Sequence, residues 1–144
     1  MNILVMDDSA VISAWLSEVL KHMGHKVVVV SSIAAALEHE AEDFDAVVAD
    51  YFLGEKERGV DLAKLWNGKT RFVFFTGAGD IQVIAQLSSY GQIILKEVGV
   101  DVDQAIERFA ECLRHVQAAI DNSNRCTIQS HGSSNMTVNL SEHH

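Results

Sequence analysis

Apolar positions along this chain follow two alternating patterns. Five short runs, residues 3–6, 26–30, 45–49, 71–75 and 92–95, are nearly continuous in apolar side chains, mostly Val, Ile and Phe. Strands covered on both faces read this way, because neither side needs to be polar. The segments between them follow a helical period instead. Val11, Ile12, Trp15, Leu16, Val19 and Leu20 fall on one face, and Gly24 follows as a stop signal. Ser31 or Ser32 is placed to cap a short helix running to Leu37. Residues 59–66 and 80–88 give two further helices. The clearest stripe is the last: Val102, Ala105, Ile106, Phe109, Cys112, Leu113, Val116 and Ile120.

A strand alternating with a helix five times predicts an α/β fold with helices on both faces of a parallel sheet. Right-handed crossovers leave few arrangements. The one expected is a doubly wound, five-stranded parallel sheet, flavodoxin-like (βα)5, with strand order 2-1-3-4-5. A chain of 144 residues suits one such domain, placed at residues 1–121. From residue 122 to 144 the sequence is rich in Ser, Asn, Thr and Gln with no apolar period, which reads as a flexible polar tail, a linker or a tag remnant ending in His143 and His144. The apolar stripe of the last helix runs on to Val116 and Ile120. Such residues would be exposed in a monomer and predict a homodimer through that helix or a linker to a missing partner.

Composition narrows the function classes. The formal net charge is −9, which disfavours direct contact with phosphate backbones and argues against nucleic acid as a partner. Two cysteines, Cys112 and Cys126, are too few for a disulfide framework or a zinc site, and a reducing cytoplasm is the expected setting. The apolar start is broken by Asp7 and Asp8, so it does not read as a signal-peptide core, and no apolar run reaches the ~20 residues of a membrane helix. Asn135 and Asn139 fit the glycosylation pattern but carry no meaning without secretion. The seven histidines are scattered, and the acidic run between Glu38 and Asp45 reads as a solvated helix end.

In a doubly wound sheet, ligands bind beyond the carboxyl ends of the strands. Asp7 and Asp8 follow the first predicted strand, Asp50 the third, Thr76 the fourth and Lys96 the fifth. Three carboxylates, a hydroxyl and an ammonium therefore converge on one edge. An acid after a strand is often only a cap, but four strand ends of five carrying such groups is a stronger signal. Clustered carboxylates repel unless a cation neutralises them. Hard oxygen ligands of this charge suit Mg²⁺, which readily takes a phosphate oxygen into its shell. A carboxylate beside Mg²⁺ can attack phosphorus to give an acyl phosphate, while a lysine and a hydroxyl hold the remaining oxygens.

In order, residues 3–9 (Ile-Leu-Val-Met-Asp-Asp-Ser), 47–51 (Val-Val-Ala-Asp-Tyr), 74–77 (Phe-Phe-Thr-Gly) and 94–96 (Ile-Leu-Lys) resemble the receiver domains of two-component response regulators. The resemblance covers roughly residues 1 to 119. It implies that Asp50 is the phosphoacceptor. It implies Mg²⁺ held by the side chains of Asp8 and Asp50, by the backbone carbonyl of Phe52, and by Asp7 directly or through water. Thr76 would contact the phosphoryl group and Lys96 would pair with it. The implied partner is a histidine kinase or a histidine phosphotransfer protein, and the implied role is a switch, not an enzyme acting on a metabolite.

Three positions depart from the family pattern. Glu97 follows Lys96 where a proline is usual, Ile93 stands where an aromatic switch residue is common, and the loop from Tyr51 to Arg58 is slightly long and lacks a Met-Pro pair. Two alternatives follow: a degenerate receiver that only binds proteins, and a small aspartyl-phosphate phosphohydrolase. The second usually requires another acid two residues after its nucleophile, where Asp7 is followed by Ser9. Gly77 and Gly79 open a helix as a dinucleotide loop does, but Gln82 occupies the third glycine position. No output domain is visible. Phe52 and Ala78, at the positions that border the water's approach in receivers, offer no polar group, which predicts slow loss of the phosphoryl group.

Overall fold

The computed structural model describes residues 1–77, 79–96 and 102–132. Ala78, Glu97 and the end of the tail, with Asn135, Asn139, His143 and His144, lie outside the described residues. Five parallel strands form the sheet: β1 (Asn2–Met6), β2 (Lys26–Val30), β3 (Ala46–Ala49), and, after a small hairpin of β4 (Phe52–Leu53) and β5 (Glu57–Arg58), β6 (Arg71–Thr76) and β7 (Gly91–Leu95). Their order is β2-β1-β3-β6-β7. With the hairpin set aside this is the 2-1-3-4-5 order that the alternation of elements predicts. Pairing is in register from Ile3↔Ala46 to Met6↔Ala49 and from Ala46↔Arg71 to Ala49↔Phe74, so the strand ends that carry Asp7, Asp50 and Thr76 stay level.

The near-continuous apolar strands have their physical reason in the core. Ile3, Leu4, Val5, Met6, Val47, Val48, Val73 and Phe74 are fully buried, because both faces of the sheet are covered. On one face, Leu4, Met6, Val47, Phe72 and Phe74 pack in a cluster with Leu62, Ala63 and Trp66. Leu62 and Ala63 belong to α3 (Gly59–Leu65), and Leu87 of α4 (Ile81–Ser88) joins the same cluster. On the other face Phe75 stacks on Trp15 of α1 (Ala10–His22), with ring centroids 5.9 Å apart, and meets Phe109 at a tilt, 5.2 Å away. Each such fully buried side chain contributes roughly 1.5–3 kcal/mol.

Helix boundaries follow the caps. Ser9 accepts from the Ile12 amide at the start of α1, and Gly24, at φ +96°, closes its end. Ser32 accepts from the Ala35 amide to start α2 (Ile33–Ala36), a helix of only four residues. Asp80 caps α4 by accepting from Gln82 and Val83. Because α2 is so short, the edge strand β2 is poorly covered, and Val28 and Val29 remain 38% and 44% exposed.

Helix α5 (Val102–Gly132) extends well into the stretch whose composition predicts a flexible tail from residue 122. The helix has a physical basis there. No proline interrupts the segment, its first glycine is Gly132, and Gln117 donates to Asp121 at 3.0 Å, a pair one helical turn apart. The chain up to Cys112 forms one compact unit and a second begins at Leu113. Val116, expected to be exposed in a monomer, is buried, and Ile120 is half-buried.

Candidate functional site: an acidic pocket at the strand ends

Each candidate side chain is fixed by the turn that follows its strand. Asp7 leaves β1 with its amide donating to the Val30 carbonyl at 3.2 Å. Its Oδ1 accepts from the Ser9 amide at 2.9 Å, and its carbonyl accepts from the Ser13 hydroxyl at 3.1 Å. It is nearly fully buried. Asp8, the next residue, is exposed, and its Oδ2 accepts from the Gly54 amide at 2.9 Å. Asp50 leaves β3 with its amide donating to the Met6 carbonyl at 3.1 Å, which ties it to the end of β1. Thr76 ends β6 and is fully buried. Its carbonyl accepts from the Lys96 amide at 2.9 Å, so the lysine is held at the head of the same sheet.

These turns bring the predicted groups together. Single oxygens of Asp7, Asp8 and Asp50 lie within 4.8 Å of one another. Lys96 Nζ is 2.8 Å from Asp50 Oδ2 and 3.3 Å from Asp7 Oδ2. It also sits 5.2 Å from the Phe75 ring centroid, so its ammonium lies against an aromatic ring. Three carboxylates face one ammonium, and the excess is negative. Burial pushes the Asp7 carboxyl above the usual carboxylate range and Asp50 adds to the rise, against the Ser9 amide and Lys96, which lower it. Asp50 Oδ1 is buried with no hydrogen-bond partner. A buried carboxylate oxygen left unpaired is costly. The donor set, all hard oxygen with two charges in excess, fits a divalent cation such as Mg²⁺.

Phe52 lies two residues beyond Asp50 in β4, 46% exposed. Its ring meets Tyr51 edge-on at 4.8 Å and lies under the Arg58 guanidinium at 4.7 Å. Periodicity leaves unread the hairpin to which it belongs, since two-residue strands carry no period. The signal present in the sequence is the glycine-bearing turn at residues 54–56 between Leu53 and Glu57, which the structure pairs across it. Gly59 is a second residue that pattern reading leaves out. Its amide donates to the Tyr51 carbonyl at 2.7 Å, and a Cβ there would collide with the Asp50 carbonyl. Gly54 and Gly59 both support the pocket without supplying a side chain.

No family profile and no curated protein matches this sequence. Solved structures do. A non-phosphorylated HemR receiver domain from Leptospira biflexa superposes with a TM-score of 0.66 at 25% identity, covering 80% of this chain and 92% of that one. The BeF3-activated receiver domain of RstA from Klebsiella pneumoniae gives 0.65 at 23% identity, over 79% and 99% of the two chains. The response regulator TrrA from Thermotoga maritima, solved in complex with Mg²⁺–BeF, gives 0.65 at 18% identity, over 80% and 97%. The chain has the receiver-domain fold, and it resembles the receiver domains of response regulators. No helix among the described residues is long and apolar enough to cross a membrane.

Proposed function

We propose that this chain is a phosphorylation-dependent switch of a two-component system, accepting a phosphoryl group on Asp50 from a histidine kinase or a histidine phosphotransfer protein in the cytoplasm. One observation supports the reading above the others. Asp50 has one oxygen 2.8 Å from Lys96 Nζ and the other buried without a partner, and its carboxylate lies within 4.8 Å of oxygens of Asp7 and Asp8. A purely structural ion pair has no need of three acids around one lysine.

In this reading Asp7, Asp8 and Asp50 hold Mg²⁺ together with the Phe52 backbone carbonyl. The ion, when bound, offsets the negative charge that gathers as a phosphoryl group approaches a carboxylate. The chain's own groups do the rest. An Asp50 oxygen forms the new bond to phosphorus while the phosphorus–nitrogen bond of the donor breaks, and the electron pair leaves with the imidazole, which takes up a proton. Lys96 exchanges its contact with Asp50 for a phosphoryl oxygen, and the Thr76 hydroxyl holds another. Asp7 and Asp8 remain ligands, so Asp50 alone carries the group. The protein thus assists its own phosphorylation and dephosphorylation and does not turn over an external metabolite.

Intact mass after treatment with a small phosphodonor and Mg²⁺ tests the reading. A labile gain of one phosphate is expected in the wild type and none in Asp50→Asn. Equal labelling of the variant overturns Asp50 as acceptor. No labelling of the wild type by any donor leaves a domain that acts only by binding proteins, and turnover of a phosphomonoester identifies a phosphohydrolase.

A further inference from the structure

We infer that the β4–β5 hairpin is a strap that couples divalent-ion occupancy of the acidic pocket to helix α2. The inference rests on the reading of that pocket given above. The hairpin has two attachments outside itself, both close to its turn. At its turn, the Gly54 amide donates to Asp8 Oδ2 at 2.9 Å. On its return strand, Glu57 Oε1 accepts from the Ile33 amide at 3.4 Å. Ile33 is the first residue of α2, and its amide has no partner within that helix. The same small unit therefore touches a pocket acid and the start of a helix outside the pocket.

The hairpin is built to move as one piece. Leu53 pairs with Glu57 and Phe52 with Arg58. Arg58 donates to the Glu57 carbonyl at 2.9 Å and to the Glu55 carbonyl at 3.4 Å. Its guanidinium lies 4.7 Å from the Phe52 ring centroid and 5.7 Å from that of Tyr51. At the base, Gly59 is locked against Tyr51 and Asp50. Gly54 holds φ +76°, so its amide is presented to Asp8 by a turn that few other residues would adopt.

The chemistry gives the coupling its direction. The Gly54 amide takes one acceptor site on Asp8 and thereby orients the carboxylate, which still has capacity on its oxygens for the pocket. A cation shared with Asp7 and Asp50 would immobilise that carboxylate and make it a firmer acceptor for Gly54. Glu57 flanks the turn that carries Gly54, so a turn fixed on Asp8 fluctuates less and the Glu57–Ile33 contact would tighten as well. By linkage, whatever steadies the strap also steadies Asp8 for the ion. Gly54 is thus a positioning residue for the pocket, acting through Asp8, and Glu57 carries its effect to α2.

Hydrogen exchange of the full chain tests this, with and without Mg²⁺ and with Mn²⁺ binding followed separately by electron paramagnetic resonance. In the wild type, Mg²⁺ is expected to slow exchange in residues 51–58 and in residues 31–37 by about fivefold or more. In Glu57→Ala, residues 51–58 should still respond while the response of residues 31–37 is lost. Exchange in either segment that ignores bound ion in the wild type overturns the strap, as does an undiminished response of residues 31–37 in Glu57→Ala. Absence of Mn²⁺ binding is a different failure, since it overturns the reading of the pocket itself and the strap with it.

Discussion

Gly59 lies so close beneath Asp50 that a single added methyl group would strike the Asp50 backbone carbonyl. The residue that starts α3 therefore fixes the height of the candidate phosphoacceptor. Gly59→Ala should displace Asp50 from Lys96 and lower stability by about 1–3 kcal/mol, the usual penalty for overpacking. Urea unfolding gives the stability. Phosphodonor labelling of the folded variant should be slower than in the wild type, and unaltered labelling would show that Asp50 tolerates the shift.

Asp7 predicts an inverted pH response. Its folded carboxyl is raised above the ordinary range by burial. A raised pKa means that the protonated form is favoured in the folded state. Its contribution to stability is complete below the ordinary carboxylate range and is lost as pH rises through the raised value. Without divalent ion, Asp7→Asn should therefore be more stable than the wild type at neutral pH, and the difference should vanish in acid. Denaturation midpoints at several pH values measure this. A variant less stable at neutral pH would show that the Asp7–Lys96 pair outweighs burial.

Divalent ion should reverse that order. An ion that binds only the folded pocket stabilises the wild type by about 2.7 kcal/mol at a hundredfold excess over its dissociation constant. Asp8→Asn and Asp7→Asn should lose most of that gain. Thermal unfolding with Mg²⁺ and after chelation provides the comparison, and equal shifts in all three proteins would place the ion elsewhere.

Lys96 is the ammonium that meets both Asp7 and Asp50. Lys96→Met removes it and leaves two carboxylates facing each other. A loss of about 1–3 kcal/mol is expected in ion-free solution. Mg²⁺ should recover part of it, because a cation can replace the missing charge in stability though not in chemistry. Labelling should stay slow in the rescued variant.

Phe52 faces Tyr51 and Arg58 and offers no hydrogen-bonding group to a water approaching Asp50. We expect a long-lived acyl phosphate. Phe52→Asn or Phe52→Glu should shorten its life by roughly 10²-fold, the scale of a positioned acid or base. Phosphate release from labelled protein decides it. Equal, fast decay in all three would mean that water reaches phosphorus by another route.

The parts legible in the sequence are those governed by long-range regularity. Both faces of the sheet are covered, so β1, β3 and β6 stand out as apolar runs. Asp7, Asp8 and Asp50 stand out because they break those runs at the ends of β1 and β3. What stays hidden depends on backbone. The role of Gly59 is a close approach to a carbonyl, and that of Gly54 is an amide aimed at Asp8. Neither leaves a trace in hydrophobic pattern. The hairpin is too short to show a period. The continuation of α5 past Asp121 is polar, and its helical state rests on the absence of breakers before Gly132 rather than on any stripe.

The brevity of α2 bears on how the protein behaves in a concentrated solution. Strand β2 closes one side of the sheet with the sequence Lys-Val-Val-Val-Val, and two of those valines are substantially open to water. A flat apolar edge with unpaired backbone groups invites another chain to add a strand, and here a single lysine guards it. Strand addition by another chain is expected at this edge. A second charge at Val28 would blunt it at little cost to the core, which that side chain only half enters.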